Sequence, residues 1–265
     1  MTTPTISTIL ETVERMLRST ELVVFGTRCR LVELEAYLYS EAHPDPFTHR
    51  HELQQTNGRW YFHRMGNSGA ASQAYKNGSF RGLDLSFGGE NAWGGILIRS
   101  IETPDGIIDG PCLCVNHVLA VSKLDQVKQL DELVFPMVAW NAKNPLCLQP
   151  ASGCGKEIYR TGRVGLTLKK SSTQTVHAQY LLRRYRMLTE PRRVRKGRAH
   201  LIAALLEDGS SLDQVKELTG SPKRTIEKYA AWLKEGASLG LEEFRSASIG
   251  ARELCQLHGL LQPAG

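Results

Sequence analysis

Apolar and polar residues alternate in short segments along the chain up to about residue 182, with glycine-rich turns between them. A period of two places successive side chains on opposite faces of an extended chain, so each segment predicts a half-buried β-strand. The segments with this pattern are ELVVFG, RLVELEAYL, GLDLSFG, GGILIRSIE and RVGLTLK. They predict a β-rich first region.

The pattern changes to helical spacing near residue 198. Residues 199–208, AHLIAALLED, have apolar positions at helical spacing. The next two segments, SSLDQVKELTG and SPKRTIEKYAAWLKEG, each begin with serine, a helix-capping residue, and each end at a glycine, which commonly follows a helix. We therefore predict two domains, residues 1–197 and residues 198–265, of which the second is all-α.

The last two predicted helices are joined by a glycine turn, which is the pattern of a helix-turn-helix. The second helix opens with Lys223, Arg224 and Thr225, at the end from which side chains reach a DNA groove. We predict that Lys223 and Arg224 contact DNA. The alternative is a small three-helix domain with no role in nucleic-acid binding.

Positive charge is concentrated between residues 182 and 198, in the segment LRRYRMLTEPRRVRKGR. A guanidinium group donates two parallel hydrogen bonds, which suits phosphate oxygens. The segment therefore predicts contact with a phosphate backbone, and a solvated linker is the alternative. Its cations are Arg183, Arg184, Arg186, Arg192, Arg193, Arg195, Lys196 and Arg198.

Composition narrows the class of protein. The 265 residues are 41% hydrophobic and 23% charged, with a net charge of +6, as in ordinary globular proteins. No apolar run approaches about 20 residues and no secretory signal is visible, so we expect a cytoplasmic protein, associated with the bacterial nucleoid and not with a membrane. Six cysteines include no CxxC pair, which favours reduced thiols over zinc ligands or disulfides. Motifs for dinucleotides, nucleotide phosphates, helical zinc sites and serine nucleophiles are absent from the sequence.

Two glutamates in the second predicted strand need an explanation. Glu33 and Glu35 stand two residues apart in RLVELEAYL, so both point to the same face of the strand. A buried carboxylate is costly unless it is paired or used in chemistry.

The segments around these glutamates resemble the alkyladenine (3-methyladenine) DNA glycosylase family. In that family a V-E-x-E-A-Y strand is followed by a D-P-x-x-H loop, and here LVELEAYL is followed by HPDPFTH. Further segments match in the same order, over roughly residues 22–192. They are GGILIRSIE (94–102), GPCLCVNHVLA (110–120), IYRTGRVGLTLKK (158–170) and the basic segment that begins LLRRYR (181–191).

The resemblance implies a fold and a set of catalytic residues. The implied fold is α+β, with a curved antiparallel sheet and surrounding helices that resemble a formyltransferase C-terminal-like barrel. By position, Glu35 activates the attacking water, Arg99 helps to hold that water, Tyr37 stacks on the flipped base and His49 lines the pocket. A carboxylate at this place also stabilises the positive charge that develops on the sugar. We interpret Glu33 as a structural carboxylate paired with an arginine.

The sequence departs from the family pattern in the base pocket. The intercalating tyrosine of the family corresponds to Asn77, and its pocket asparagine corresponds to Asp84. We expect Tyr75 to replace the missing aromatic residue, with His63, Trp60 and Tyr61 as alternatives. An acidic Asp84 would accept a hydrogen bond from an exocyclic amine or attract a cationic alkylated base. The glycine-rich segment 64–79 leaves room for a bulkier base, such as the modified bases of some phage DNA.

The sequence therefore predicts a monofunctional DNA glycosylase, since no lysine falls at a matched pocket position to act as a lyase nucleophile. We expect no metal and no cofactor, a monomer, and double-stranded DNA with a damaged or modified base as the partner. One alternative is a non-enzymatic helix-turn-helix regulator with a degenerate glycosylase-like domain. Another is an enzyme that acts on free nucleosides or RNA.

Overall fold

A computed structural model describes residues 4–153, 155–168, 174–244 and 249–261 of the protein. The alternating segments form an open antiparallel sheet in the order β4-β5-β6-β2-β1-β8, and β3, β7 and β10 add to its strands β2 and β6. The strands are β1 (Thr20–Val24), β2 (Thr27–Ser40), β3 (His43–Pro44), β4 (Asn57–Phe62), β5 (Leu83–Phe87), β6 (Trp93–Thr103), β7 (Gly106–Asp109), β8 (Leu146–Pro150), β9 (Tyr159–Thr161) and β10 (Arg186–Leu188).

Helices surround this sheet and make up the C-terminal region, so the structure confirms an α+β protein whose last part is helical. α1 packs mainly on β2, and α2 packs mainly on β6. The helices are α1 (Ile6–Ser19), α2 (Pro111–Ser122), α3 (Val127–Val134), α4 (Gln174–Leu182), α5 (Arg198–Glu207), α6 (Leu212–Thr219), α7 (Lys223–Gly236) and α8 (Ala251–Leu261).

Four of the five predicted strands are confirmed, as β1, β2, β5 and β6. The prediction for RVGLTLK is wrong over residues 163–168, which contain no strand, and residue 169 lies outside the described residues. Gly165 has a φ of +86°, a left-handed conformation that interrupts an extended strand. The alternation of apolar and polar residues does not reveal this interruption of the strand.

The chain divides into two compact units. The first consists of residues 1–158 and 187–189, and the second of residues 159–186 and 190–265. This division differs from the sequence-based boundary after residue 197, because residues 159–186 belong with the C-terminal helices. In the first unit, the core of the sheet lies around β2, which has β6 on one side and β1 on the other.

The second unit contains the two helices that the sequence predicted as a helix-turn-helix. The Ser211 side chain caps α6, and Gly220 ends it with a φ of +66°. Val215 and Ile226 are fully buried where α6 and α7 pack together. α7 and α8 also pack closely, since a side chain at Gly259 would collide with the backbone of α7.

The structure also bears on the membrane and cysteine predictions. In the described residues, no helix is both long and apolar enough to cross a membrane. The five cysteines of the described residues are free thiols, and Cys154 lies outside them.

Candidate active site

The register of three strands brings the predicted catalytic strand and the predicted base pocket onto one face of the sheet. Glu35 on β2 lies opposite Leu97 on β6, and Leu97 in turn lies opposite Asp84 on β5. Tyr37, two residues further along β2, lies opposite Gly95. Residues directly opposite each other in an antiparallel pair project to the same face, so Glu35, Tyr37 and Asp84 share a face.

A β-bulge positions Arg99. Leu34 pairs with Ile98 but Glu33 pairs with Ser100, so Arg99 and Ser100 together oppose one residue of β2. Such a bulge re-aims side chains that a regular ladder would direct elsewhere. Here it allows both Arg99 and Ser100 to contact the carboxylate of Glu33.

Arg99 lies between the two glutamates. Its Nε donates to Glu33 Oε1 at 2.8 Å, and its Nη1 lies 3.2 Å from Glu35 Oε2. The side chains of Arg99 and Glu33 are only 5% and 0% exposed, and Glu35 is also buried. Burial opposes the charge of the Arg99 guanidinium, but Glu35 and Glu33 outweigh it and raise its pKa. Two carboxylates therefore contact one guanidinium.

Ser100 completes the environment of Glu33. Its hydroxyl donates to Glu33 Oε2 at 2.5 Å and lies 3.3 Å from Asp109 on β7. Both oxygens of Glu33 are thus held by side chains of the bulge. This supports the interpretation of Glu33 as a structural carboxylate that fixes Arg99 beside Glu35.

A second polar network joins Tyr37 to Asp84. The Tyr37 hydroxyl donates to Asp84 Oδ2 at 2.5 Å and accepts from Gln54 Nε2 at 2.8 Å. Burial, together with the charge of Asp84, raises the pKa of Tyr37 well above its usual value. The ring lies so close to Gly95 that any side chain there would collide with it. Tyr37 is therefore held at both its ring and its hydroxyl, whereas the sequence analysis assigned a role only to its ring.

Asp84 also holds His63, the residue that follows β4. His63 Nε2 lies 3.0 and 3.2 Å from the two carboxylate oxygens of Asp84, which is fully buried. The His63 side chain is 25% exposed and lies against Gly82, where a side chain would collide with the imidazole. The structure therefore joins His63, Asp84 and Tyr37 in one network.

Aromatic rings form a row beside this network. The His49 and His51 rings are stacked with centroids 6.4 Å apart, and Tyr61 follows 5.3 Å from His51 and 6.1 Å from His63. Burial lowers the pKa of His49, whose Nε2 is buried and has no hydrogen-bond partner in the described chain. His51 is bound at both nitrogens, since Nδ1 accepts from the Leu53 N–H and Nε2 lies 3.1 Å from the Ser72 carbonyl.

Tyr75 belongs to a different cluster. Its hydroxyl donates to Asp131 Oδ2 at 2.8 Å, and the Arg64 guanidinium lies 3.7 Å from its ring centroid. Burial and the bond to Asp131 raise its pKa. Within the described residues, Tyr75 thus bonds to this pair and not to Glu35, Tyr37 or Asp84.

The remaining pocket predictions have separate outcomes. Trp60 is buried and donates from Nε1 to the Leu146 carbonyl at 2.6 Å, so it packs in the core and does not line a pocket. Asn77 is exposed in the loop before β5, and Phe80 in the same loop is 73% exposed. The sequence analysis missed Gln54 and Ser100. It also missed Gly82 and Gly95, although glycine inside a strand can indicate a close approach of another group.

The predicted DNA-binding residues of the second unit divide by exposure. Arg186 is 1% exposed and donates to Thr161 Oγ1 and to the Lys196 carbonyl. A guanidinium held in this way cannot reach a phosphate, so the prediction for Arg186 is wrong. Arg184 is paired with Glu207 and Asp208. The exposed members of the set are Arg183, Arg192, Arg193, Arg195, Lys196, Lys223 and Arg224.

Comparison with known proteins identifies a viral relative. No model of a known protein family matches the chain. The chain is 30% identical over 176 residues to "Uncharacterized protein L759" of Acanthamoeba polyphaga mimivirus. The matched region spans 61% of this chain and 79% of the viral protein. On this similarity, the protein belongs to the same family as mimivirus protein L759.

Proposed function

We propose that this protein is a monofunctional DNA N-glycosylase that flips a damaged or modified base out of duplex DNA and hydrolyses its N-glycosidic bond. The observation that carries the proposal is the buried pair of carboxylates, Glu33 and Glu35, around one arginine, on the same sheet face as Tyr37, Asp84 and His63. The reaction would leave an abasic site, in base excision repair or in defence against modified phage DNA.

The chemistry of the cluster fits this reaction. Cleavage of an N-glycosidic bond develops positive charge on the sugar, and a nearby carboxylate stabilises that charge. Glu35 lies 3.2 Å from Arg99, and it serves as the base that takes a proton from the attacking water. Glu33, which Arg99 and Ser100 both hold, orients the guanidinium. Arg99 in turn orients Glu35 and the water.

The neighbouring network suits a flat base. Tyr37 and the row of His49, His51 and Tyr61 supply aromatic faces, and base stacking contributes about 1–3 kcal/mol per base. Asp84 supplies a polar edge. The fold that goes with this proposal is the alkyladenine DNA glycosylase-like arrangement, which the order of the sequence motifs supports.

A screen for abasic sites tests the proposal. The protein is incubated with duplexes that carry alkylated, deaminated or glucosylated bases, and alkali cleavage reports each abasic site. We expect strand cleavage at one class of base with the wild-type protein and none with Glu35→Gln. The absence of cleavage at every base, or equal cleavage by the variant, would contradict the proposal.

Duplex DNA as the partner has separate support in the second unit. Lys223 and Arg224 are exposed at the start of α7, although Lys223 also pairs with Asp213 at 3.0 Å. Each phosphate contact contributes about 0.9 to the slope of log affinity against log salt. We expect Lys223→Ala with Arg224→Ala to weaken binding to undamaged duplex and to reduce that slope by about 1–2. The control is Lys128→Ala, an exposed lysine on α3, and an unchanged slope in the double variant would remove α7 from the interface.

A non-enzymatic DNA-binding regulator is the second candidate, and the α6–α7 pair with its exposed cations favours it. The same two experiments separate the candidates. A regulator binds duplex through Lys223 and Arg224 but releases no base.

A further inference from the structure

A cavity of about 760 Å³ lies in the second unit, among α4, α5 and α8. It is lined by Gln179 and Leu182 of α4, by Glu207 of α5 and by His258 and Leu261 of α8, together with two arginines that follow α4. A volume of this size is typical of a small-molecule site. The reaction proposed above uses none of these side chains, so the cavity needs a separate explanation.

A histidine and a glutamate form a pair in the wall of this cavity. The His258 side chain is 3% exposed, and its Nδ1 lies 2.5 Å from Glu207 Oε1. The other oxygen of Glu207 accepts from Arg184 Nη2 at 3.0 Å. Burial would raise the pKa of Glu207, but His258 and Arg184 outweigh it and lower that pKa. Glu207 is therefore an ionised carboxylate, and Nδ1 of His258 donates to it.

The second nitrogen of His258 lacks a partner. Nε2 is buried and makes no hydrogen bond within the described residues. A buried polar atom without a partner costs about 1–3 kcal/mol, so such an atom in a folded protein needs an explanation, for example a bound ligand. Because His258 lines the cavity, a ligand that enters the cavity supplies the partner that Nε2 lacks.

The charged and titratable neighbours of His258 come from several elements. Glu207 on α5 and Arg184 after α4 form the ion pair described above, and the His200 ring of α5 lies edge-on at 6.0 Å. Cys255 lies one turn before His258 on α8, where burial raises the pKa of its thiol to about 12 and keeps it neutral. Within the described residues, α4 and α7 contribute no hydrogen bond or ion pair to His258. The anion in direct contact with His258 is thus Glu207, which favours an imidazolium.

Exposed side chains at the rim of the cavity add further donors. Gln179 and Arg183 are both exposed there. Two tyrosines position Arg183, since its Nη1 donates to the Tyr185 hydroxyl at 2.9 Å and its guanidinium lies 4.3 Å from the Tyr180 ring centroid. Both oxygens of the lining carboxylate, Glu207, are already bound. The cavity therefore presents N–H donors from α4, from the segment after α4 and from α8, which is a pattern that suits an anion.

We propose that this cavity binds a phosphate monoester, whose phosphate contacts His258 and Arg183. Leu182 and Leu261 offer apolar surface to the rest of the ligand. A monoester has three terminal oxygens, which matches donors that come from three parts of the unit. It also enters a cavity from one side, whereas the phosphodiester of a continuous strand needs a path in and a path out. The imidazolium of His258 then lies between two anions, Glu207 and the phosphate. The proposal concerns the second unit and does not depend on the glycosylase reaction.

Two sources carry this group, a free nucleotide and the terminal phosphate of a DNA strand, and calorimetry of the full-length protein distinguishes them. One comparison is 2′-deoxyadenosine 5′-monophosphate with deoxyadenosine. The other is a blunt duplex that carries 5′-phosphates with the same duplex that carries 5′-hydroxyls. A gain in affinity from the phosphate of the nucleotide alone assigns the cavity to a free nucleotide, and a gain in the duplex assigns it to strand ends. The absence of a gain in both comparisons would overturn the proposal.

Variants test whether this binding occurs in the cavity. His258→Gln and Arg183→Gln should each weaken binding of the phosphate ligand by about 10–100-fold, the effect of losing one charged hydrogen bond. Arg183 is exposed, so its replacement leaves the core intact, and urea denaturation checks the fold of His258→Gln. The control Arg252→Gln removes an exposed cation of α8 that pairs with Glu235, and it should leave binding unchanged. Unchanged binding in both cavity variants, or equal losses in all three variants, would contradict the proposed site.

Proton uptake supplies a readout that is specific to His258. An anionic oxygen at Nε2 requires the imidazolium, so binding at about pH 7.5 should take up as much as about one proton. Titrations in two buffers with different ionisation enthalpies measure this uptake, and the affinity should rise as the pH falls from about 8 to about 7. The uptake should be absent in His258→Gln and present in Arg252→Gln. A wild-type protein that takes up no more protons than His258→Gln would refute the role of His258 and the proposal with it.

Discussion

Two buried arginines in the first unit, Arg64 and Arg99, both pair with carboxylates but have different surroundings. Arg64 and Arg99 each pair with a carboxylate, at 2.7 Å to Asp131 and at 2.8 Å to Glu33. Each cluster also has a tyrosine that donates to an aspartate. Tyr75 donates to Asp131 in the Arg64 cluster, and Tyr37 donates to Asp84 beside the Arg99 cluster. Arg64 contacts one carboxylate and lies over the Tyr75 ring, whereas Arg99 contacts two carboxylates.

The comparison gives the reason for placing the proposed catalysis at the Arg99 cluster and not at the Arg64 cluster. Arg64 pairs with one carboxylate, Asp131, and packs against the Tyr75 ring. Both contacts fit a structural role for Arg64. The Arg99 cluster retains an additional carboxylate, and its neighbours Tyr37 and His63 are partly exposed on the same sheet face. Buried carboxylates beside partly exposed polar groups are typical of functional sites.

The largest expected effect is on catalysis at the Arg99 cluster. Glu35→Gln keeps the size of the side chain and an oxygen for Arg99 but loses the base, so the single-turnover rate should fall by about 10²–10⁴-fold. Its free energy of unfolding should change by about 1 kcal/mol or less. The matched variant is Asp131→Asn, for which we expect an unchanged rate and lower stability. If both variants lose activity equally, the distinction between the clusters fails.

The second effect is on stability at the Arg64 cluster. Arg64→Met should lower the free energy of unfolding by about 3–5 kcal/mol, because it leaves the buried Asp131 without its cation. Urea denaturation measures this change. The double variant Arg64→Met with Asp131→Leu should recover much of the loss, since apolar replacement of a whole buried pair is often neutral. No recovery would show that Arg64 has a role beyond this pair.

The two tyrosines provide a finer test. Tyr37→Phe removes the donor to Asp84 and the acceptor for Gln54, so excision should slow by about tenfold, the effect of about 1.4 kcal/mol. Tyr75→Phe should leave the excision rate unchanged and cost about 1 kcal/mol of stability through loss of its bond to Asp131. A rate loss confined to Tyr75→Phe would reverse the assignment of the two residues.

The smallest expected effect is on the pH dependence of the free energy of unfolding, to which the histidine His51 contributes. Burial lowers the pKa of His51, so the unfolded chain takes up its proton before the folded chain does. Stability is then complete above the ordinary histidine pKa of about 6.5 and falls as the pH drops through it, by at most about 1.4 kcal/mol per pH unit from this residue. Urea midpoints at several pH values measure the slope.

The matched variant for that slope is His51→Asn, which cannot titrate but retains an acceptor for the Leu53 N–H. We expect a smaller decrease of stability between pH 7.5 and pH 5.5 in this variant than in the wild type, by the same linkage. An equal decrease would assign the pH dependence to other groups, of which His49 is the first to examine.

Much of the local structure was predictable because it depends on neighbours in sequence. Alternation predicted β1, β2, β5 and β6, and Ser211 and Gly220 predicted the ends of α6, whereas α7 begins after Pro222 without a side-chain cap and includes Gly236. The two-residue spacing of Glu33 and Glu35 also predicted their common face, which their shared contact with Arg99 supports. These inferences need only the geometry of one strand or one helix.

The tertiary structure decided which partner each polar residue has. Tyr75 is bound to Asp131, which is 56 residues away in the chain, and Tyr37 is bound to Asp84, which is 47 residues away. The bulge at Arg99 and the burial of Arg186 likewise depend on strand register and on packing. The sequence by itself predicted four of the strands and the caps of α6. The pairing of distant strands determined which carboxylates each arginine contacts and which tyrosine belongs to the candidate site. These partners cannot be identified from the sequence, because residues that are far apart in the chain become neighbours only in the folded protein.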